Sequence, residues 1–286
     1  NALKLAGKKL ADARIVLLGA GAANTSIARL IHADGGDPSK MIMFDVSGAL
    51  HAGRDDIMND PRFSRQRELC LKTNPGRVTD IAQAMRGADV LIALSAPGPD
   101  TVKKEWIASM APKSIVFTCA NPIPEIWPHD AKAAGAFIVA TGRGDFPNQV
   151  NNSVCFPGIL KGALLVRSRK ITDGMAIACA HSIADYSEKK GIAPDHIVVT
   201  MDDTEVFAVE AADVAMQAIK EGVARVTLSW QEVYDRAMAD IALSRDSSRL
   251  LMDAGLIKRP DDAMFAEALD YAVSRTIASR DNAPRS

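Results

Sequence analysis

Two glycines one residue apart, in Gly19-Ala20-Gly21-Ala22-Ala23-Asn24, close the apolar run Ile15-Val16-Leu17-Leu18 and open a helical pattern. The first glycine permits a tight turn, and the second lets the backbone approach a pyrophosphate. The free N–H groups and dipole of the helix start then favour the anion. Asp45 closes the next apolar run, Met41-Ile42-Met43-Phe44, where the dinucleotide fingerprint expects an acid. A carboxylate there accepts hydrogen bonds from both ribose hydroxyls and repels a 2′-phosphate. It leans toward NAD and leaves NADP open. The third fingerprint position is Asn24 rather than glycine or alanine, and Ala28, one turn on, is the candidate for the close approach of helix to strand. A tight strand–helix turn without a ligand is the bland alternative, and strand, helix and Asp45 together weigh against it.

Three further loops follow apolar runs. Ser95-Ala96-Pro97-Gly98 is small enough to leave room for a flat cofactor. Cys119-Ala120-Asn121-Pro122-Ile123-Pro124-Glu125 and the stretch from Thr141 to Asn152 present the amides of Asn121 and Asn152 on backbones stiffened by proline and glycine. An amide donates to a carboxylate and accepts from a hydroxyl without titrating, which suits substrate orientation and not proton transfer. Taken singly, each Asn is more often a turn or capping residue. Asp145 is expected to brace Arg143 or its turn. His32, His51, His129, His181 and His196 are scattered, and none has an evident carboxylate partner by spacing. Asp202-Asp203 looks like a metal pair but fits a helix start better.

The elements that must position these residues alternate. Strands are expected at 15–18, 41–44, 90–94, 114–118 and 137–140, spaced by helical patterns such as Ala23 to Ala33. That predicts an α/β fold, a Rossmann-type doubly wound parallel sheet, with every strand C-terminus on one edge. Beyond 170 the chain turns helical. Helices are expected from Ile171 to Lys190 with Thr172 as N-cap, and from Asp202 to Arg225 with Asp202 and Glu205 as a capping box. Two more are expected, from Ser229 to about Leu243 and from Ala263 to Ala278. Val209, Met216, Ile219 and Val223 form a stripe expected to be core, and the polar tail from Arg280 to Ser286 is expected to fray. Asn59 to Gly76 reads as a charged loop. Residues 1–170 are thus expected to form the dinucleotide-binding core, and 171–286 additional C-terminal helices packed on it or completing it.

The 286 residues carry a formal net charge of -1, with 48% hydrophobic and 24% charged residues. Those values fit a globular chain and give no field for nucleic acid or an anionic membrane. Cys70, Cys119, Cys155 and Cys179 form no C-x-x-C pair, so buried thiols in a reducing compartment are expected. No apolar run reaches bilayer length and no secretory signal is present, so a cytoplasmic location is expected. The opening Asn1-Ala2-Leu3-Lys4-Leu5 reads as the end of a helix begun elsewhere.

Together, Gly19-Ala20-Gly21-Ala22-Ala23, Asn121-Pro122-x-Pro124-Glu125 and Gly142-Arg143-x-Asp145-Phe146-Pro147-Asn148-Gln149-Val150-Asn151-Asn152 resemble the bacterial malic enzymes. The last is the most specific. The similarity continues through Phe156-Pro157-Gly158-x-x-x-Gly162-Ala163-Leu164 and covers most of the chain. The resemblance implies the NAD(P)-binding domain of a malate dehydrogenase (oxaloacetate-decarboxylating), which turns malate into pyruvate and CO₂. It implies cofactor contacts from Gly19, Ala20, Gly21, Ala22, Ala23, Asp45, Ser95, Ala96 and Asn121, and substrate contacts from Asn121, Asn151 and Asn152. It implies a homo-oligomer. It also implies that the acid–base pair and most ligands of a Mg²⁺ or Mn²⁺ ion lie in a catalytic domain upstream of Asn1, so that this segment alone is inactive and contains no catalytic or metal residue. Two alternatives stay open, a non-catalytic NAD-binding regulatory module and a malolactic enzyme domain.

Overall fold

Four short apolar runs, Ile15–Leu18, Val90–Ala93, Ile115–Thr118 and Ile138–Thr141, are almost wholly buried, as strands covered on both faces must be. The computed structural model describes residues 1–258 and 261–281. In chain order its elements are α1 (Ala2–Ala6), β1 (Ile15–Leu18), α2 (Ala22–Ala33), β2 (Met41–Asp45), β3 (Gly48–Ala49), α3 (Asp55–Met58), α4 (Ser64–Lys72), α5 (Ile81–Met85), β4 (Val90–Ala93), α6 (Lys104–Ala108), β5 (Ile115–Thr118), α7 (Pro128–Ala133), β6 (Ile138–Thr141), α8 (Phe156–Leu165), α9 (Asp173–Lys190), α10 (Glu205–Lys220), α11 (Trp230–Asp253) and α12 (Asp262–Asp281). The sheet order is β3-β2-β1-β4-β5-β6, parallel except for β3, which pairs antiparallel with β2. That is the expected doubly wound sheet. The strand order reverses between β1 and β4, so a crevice opens beyond their C-terminal ends.

Alternation along each strand feeds two apolar layers. Ile15, Leu17, Val90, Ile115 and Ile138 pack on one face with Ala28 of α2. Val16, Leu91, Val116 and Val139 pack on the other with Met85 and Ile107.

Local signals set several helix ends. The Thr172 hydroxyl caps α9 by accepting the Met175 N–H at 3.1 Å, and Gly191 at φ +99° terminates it. Ser229 and Glu232 form a reciprocal capping box before α11.

Other expectations need correction. Asp202 and Glu205 form no capping box; Glu205 instead accepts the hydroxyls of Tyr186 at 2.9 Å and Tyr234 at 3.0 Å. Helix α11 runs past Leu243 to Asp253. The region read as a loop from Asn59 to Gly76 contains α4, whose Leu69 and Cys70 are buried. The stripe of Val209, Met216, Ile219 and Val223 is only half-buried. The buried face of α10 carries Ala208, Ala211, Ala212, Ala215 and Ala218 instead. Small residues win because α8 approaches closely: a Cβ on Gly162 would collide with the Ala211 carbonyl, and one on Gly158 with Glu210. The tail expected to fray lies outside the described residues from 282 onward.

Two compact units are distinguished, Asn1–Ala237 and Met238–Ser286. The first contains the sheet and helices α1 to α10. The second contains the end of α11, a turn at Gly255 with φ +71°, and α12.

Candidate functional site

The turn after β1 is built as its glycines predict. Gly19 sits at φ +96°, and a side chain there would run into the Leu94 carbonyl at the end of β4. Gly21 begins α2 with extended backbone and no side-chain cap, which leaves the helix N–H groups facing the crevice. A Cβ at Gly21 would meet nothing within 4 Å, so the space before it is open to a ligand.

Asn24, the departure from the fingerprint, is a structural solution. It is buried, and its Nδ2 donates to the carbonyls of Leu18 and Gly19, both at 2.9 Å. The turn is thereby stitched from inside, while Ala28, one turn on, is buried in the core against the sheet.

A cleft of about 610 Å³ runs along this edge and is lined by Gly19, Ala20, Gly21, Asp45, Ser95 and Ala96, among others. Asp45 is not free within it. Arg54 donates to its two oxygens at 3.1 and 2.8 Å, and the Ser47 N–H donates to Oδ1 at 2.8 Å. Phe63 and Gln66 also line the cleft, and Gln66 Nε2 donates to the Ala20 carbonyl at 3.1 Å. Reading their region as a loop hid both residues, and Arg54 was missed with them. The available signal for Arg54 was a guanidinium shortly after the strand-end acid.

A second cavity, of about 690 Å³, adjoins the first and shares Leu94 with it. Asn121, Asn151 and Asn152 all line it, with Ala23 of the helix start, Gly142 and Cys119. Asn121 and Asn152 therefore share one space, next to the glycine turn. Asn151 has a structural duty: its Oδ1 accepts the Ser153 N–H at 3.0 Å and caps the short 3₁₀ turn Asn152–Val154. The exposed Asn152 side chain has no such task.

Three braces hold these loops. Buried Glu125 accepts the N–H of Ser95 at 2.8 Å with one oxygen and that of Ala120 at 3.1 Å with the other. Arg143 is gripped by Asp145, as expected, and donates to the Pro122 carbonyl at 2.6 Å. Asn148, at φ +57°, donates to the Val139 and Pro194 carbonyls and accepts the Ile197 N–H.

The cavity is poor in proton-transfer groups. Among its lining residues only Cys119 titrates, and burial, then the nearby Glu125 charge, push that thiol up to about 12. His181 does have a carboxylate partner, Asp34, at 2.7 Å, which the 147-residue separation concealed; the pair is exposed and does not line the cavity. Asp203 pairs with Lys190 rather than with Asp202. Among the described residues no group of three or more His, Cys, Asp or Glu side chains is placed to hold a metal ion. Among the same residues no helix is long and apolar enough to cross a membrane.

Comparison with known proteins bears on this geometry. A family model described as malic enzyme, NAD binding domain, matches residues 1–220. The solved malic enzyme of Entamoeba histolytica shares 59% identity at a TM-score of 0.92, over 96% of this chain and 57% of that one. A bifunctional malic/malolactic enzyme of Bacillus subtilis (strain 168) is 41% identical over 237 residues, 82% of this chain and 56% of its own length. An NADP-dependent malic enzyme of Halomonas elongata is 38% identical over 240 residues, 79% of this chain and 54% of its length. Relatives named as NAD-dependent and as NADP-dependent both occur among the matches. The chain spans about half the length of these curated relatives.

Proposed function

This chain belongs to the malic enzymes and contains their NAD-binding domain, and from that premise we propose that it holds the dinucleotide and part of the substrate during the oxidative decarboxylation of malate to pyruvate and CO₂. The observation that carries this reading is the meeting of two spaces at Leu94: the glycine turn opens into one, and the amides of Asn121 and Asn152 face the other.

The residues divide the work by chemistry. Gly19 to Ala23 receive the pyrophosphate on unsatisfied N–H groups and the helix dipole. Asp45 accepts from the adenosine ribose, and Ser95 and Ala96 leave room along the cofactor. The bound dinucleotide supplies the hydride acceptor. Asn121 contacts the nicotinamide ribose and the substrate, and Asn152 donates to a malate carboxylate; both orient malate without exchanging protons. Asn151 supports Asn152 by capping its turn. The C2 hydroxyl needs a base, and none of the residues lining this cavity is suited to be one. Residues 1–170 form the dinucleotide core in this proposal, with α9 and α10 completing it; the close packing of Gly162 on Ala211 supports that grouping.

Malate-dependent reduction of NAD⁺ or NADP⁺ by the intact protein, supplied with Mn²⁺, tests the reading, with pyruvate and lactate both assayed. Pyruvate formed with reduced dinucleotide is expected. Lactate with no net reduction would identify a malolactic enzyme, and dinucleotide binding without turnover a regulatory module.

A further inference from the structure

The first cleft is lined by one cation, Arg54, and two carboxylates, Asp45 and Asp56. Arginine carries five guanidinium hydrogens, and here their directions are all taken. Nε and Nη2 donate to the two oxygens of Asp56 at 2.8 and 2.7 Å. Nη1 and Nη2 donate to those of Asp45 at 3.1 and 2.8 Å. Nη1 also faces the carbonyls of Gly48 and Ala49 at 3.4 and 3.3 Å. Only 12% of the Arg54 side chain is exposed, whereas 57% of Asp56 is. The hydrogen bonds from Arg54 hold the Asp56 carboxyl below the usual carboxylate range.

A 2′-phosphate on the adenosine ribose would bring a charge of about −1.5 to −2 beside Asp45. It would need a cation with free donors. Arg54 could serve only by releasing a bidentate carboxylate, and the cleft lining holds no second cation. A free 2′-hydroxyl needs only one acceptor lone pair, and Asp45, which accepts two hydrogen bonds on Oδ1 and one on Oδ2, keeps such a site on Oδ2.

We propose that Asp56, by occupying the Nε–Nη2 edge of Arg54, makes this site selective for a dinucleotide with a free 2′-hydroxyl, NAD rather than NADP. The inference rests on the dinucleotide site proposed above and adds the residue that sets its cofactor class. The acid at the strand end deters a 2′-phosphate by charge; Asp56 removes the cation that would offset that deterrent.

Calorimetric binding of ADP-ribose and of 2′-phospho-ADP-ribose to the intact protein tests this. The readout is the ratio of the two affinities in wild type, D56A, R54A and the double variant, with R54Q replacing R54A if the latter does not fold. Wild type is expected to favour ADP-ribose about tenfold or more. D56A lowers that ratio about fivefold, because Arg54 regains an open edge. On the R54A or R54Q background, where no cation is left to free, D56A moves it by less than about twofold. Equal wild-type affinities, an unmoved ratio in D56A, or the same change without the guanidinium would overturn the proposal. If wild type binds neither ligand, the dinucleotide site itself fails, which is a different outcome from a lost ratio.

Discussion

The carboxylate of Glu125 accepts the backbone N–H of Ser95 at 2.8 Å, which joins the loop after β5 to the loop after β4 beneath the cofactor edge. Its other oxygen holds Ala120, the residue before Asn121. A fully buried carboxylate thus couples two loops that line the two spaces. In E125Q one oxygen still accepts, but an NH₂ group replaces the other and opposes an N–H. Each buried N–H left unpaired costs about 1–3 kcal/mol. E125Q is expected to lower stability within that range and E125A by more, both with weaker dinucleotide binding. Thermal melts paired with binding titrations check this, and an E125A protein with unchanged affinity would show that the two loops are held independently.

The two glycines of the turn are expected to fail differently. Gly19 lies at φ +96° against Leu94, so G19A should lose about 2 kcal/mol or more from backbone strain and collision. Gly21 has φ −74°, accessible to any residue, and open space beyond it. G21A should stay within about 1 kcal/mol of wild-type stability. Its methyl group would stand where the pyrophosphate is proposed to lie, so dinucleotide affinity should fall about tenfold. Chemical denaturation and dinucleotide titration separate the two effects.

Asn151 and Asn152 are adjacent and are expected to behave oppositely. N151A loses the cap on Ser153 and should cost about 0.5–2 kcal/mol of stability. N152A should melt with wild type yet raise the KM for malate about ten- to a hundredfold, the value of a hydrogen bond to a charged group. Steady-state kinetics of the intact protein, with melts of each variant, give the comparison. An unchanged KM in N152A would remove Asn152 from the substrate site.

Glu210 makes stability depend on pH. Burial first, and then the neighbouring Cys155, push its carboxyl from 4.5 to about 9. The folded protein therefore keeps a proton that the unfolded chain releases. The associated stability is full below about pH 4.5 and falls as pH rises, by at most about 1.4 kcal/mol per unit, until about pH 9. E210Q cannot ionise, so its stability should decline less between about pH 5 and 8. Urea denaturation across that range checks the sign; parallel curves for the two proteins would mean that Glu210 is ionised in the fold.

Local forces made much of this protein readable from its residues. Apolar runs too short for helices had to be buried strands, and a glycine was needed at position 19, where the chain turns at positive φ against Leu94. Thr172, Gly191, Ser229 and Glu232 mark helix ends because capping acts over three or four residues. The loops bearing Asn121 and Asn152 followed from the strands before them, since parallel strands deliver their C-terminal ends to one edge. What only the folded chain decided are pairings between distant or weakly patterned segments. His181 meets Asp34, Glu125 meets Ser95, and Arg54 is divided between Asp45 and Asp56. The two-residue strand β3 was too short to leave a period. The alanine face of α10 was invisible because closeness to Gly158 and Gly162, not apolar bulk, selected it. A charge or a small side chain takes its meaning from the neighbour across the gap, and that neighbour is set by tertiary packing.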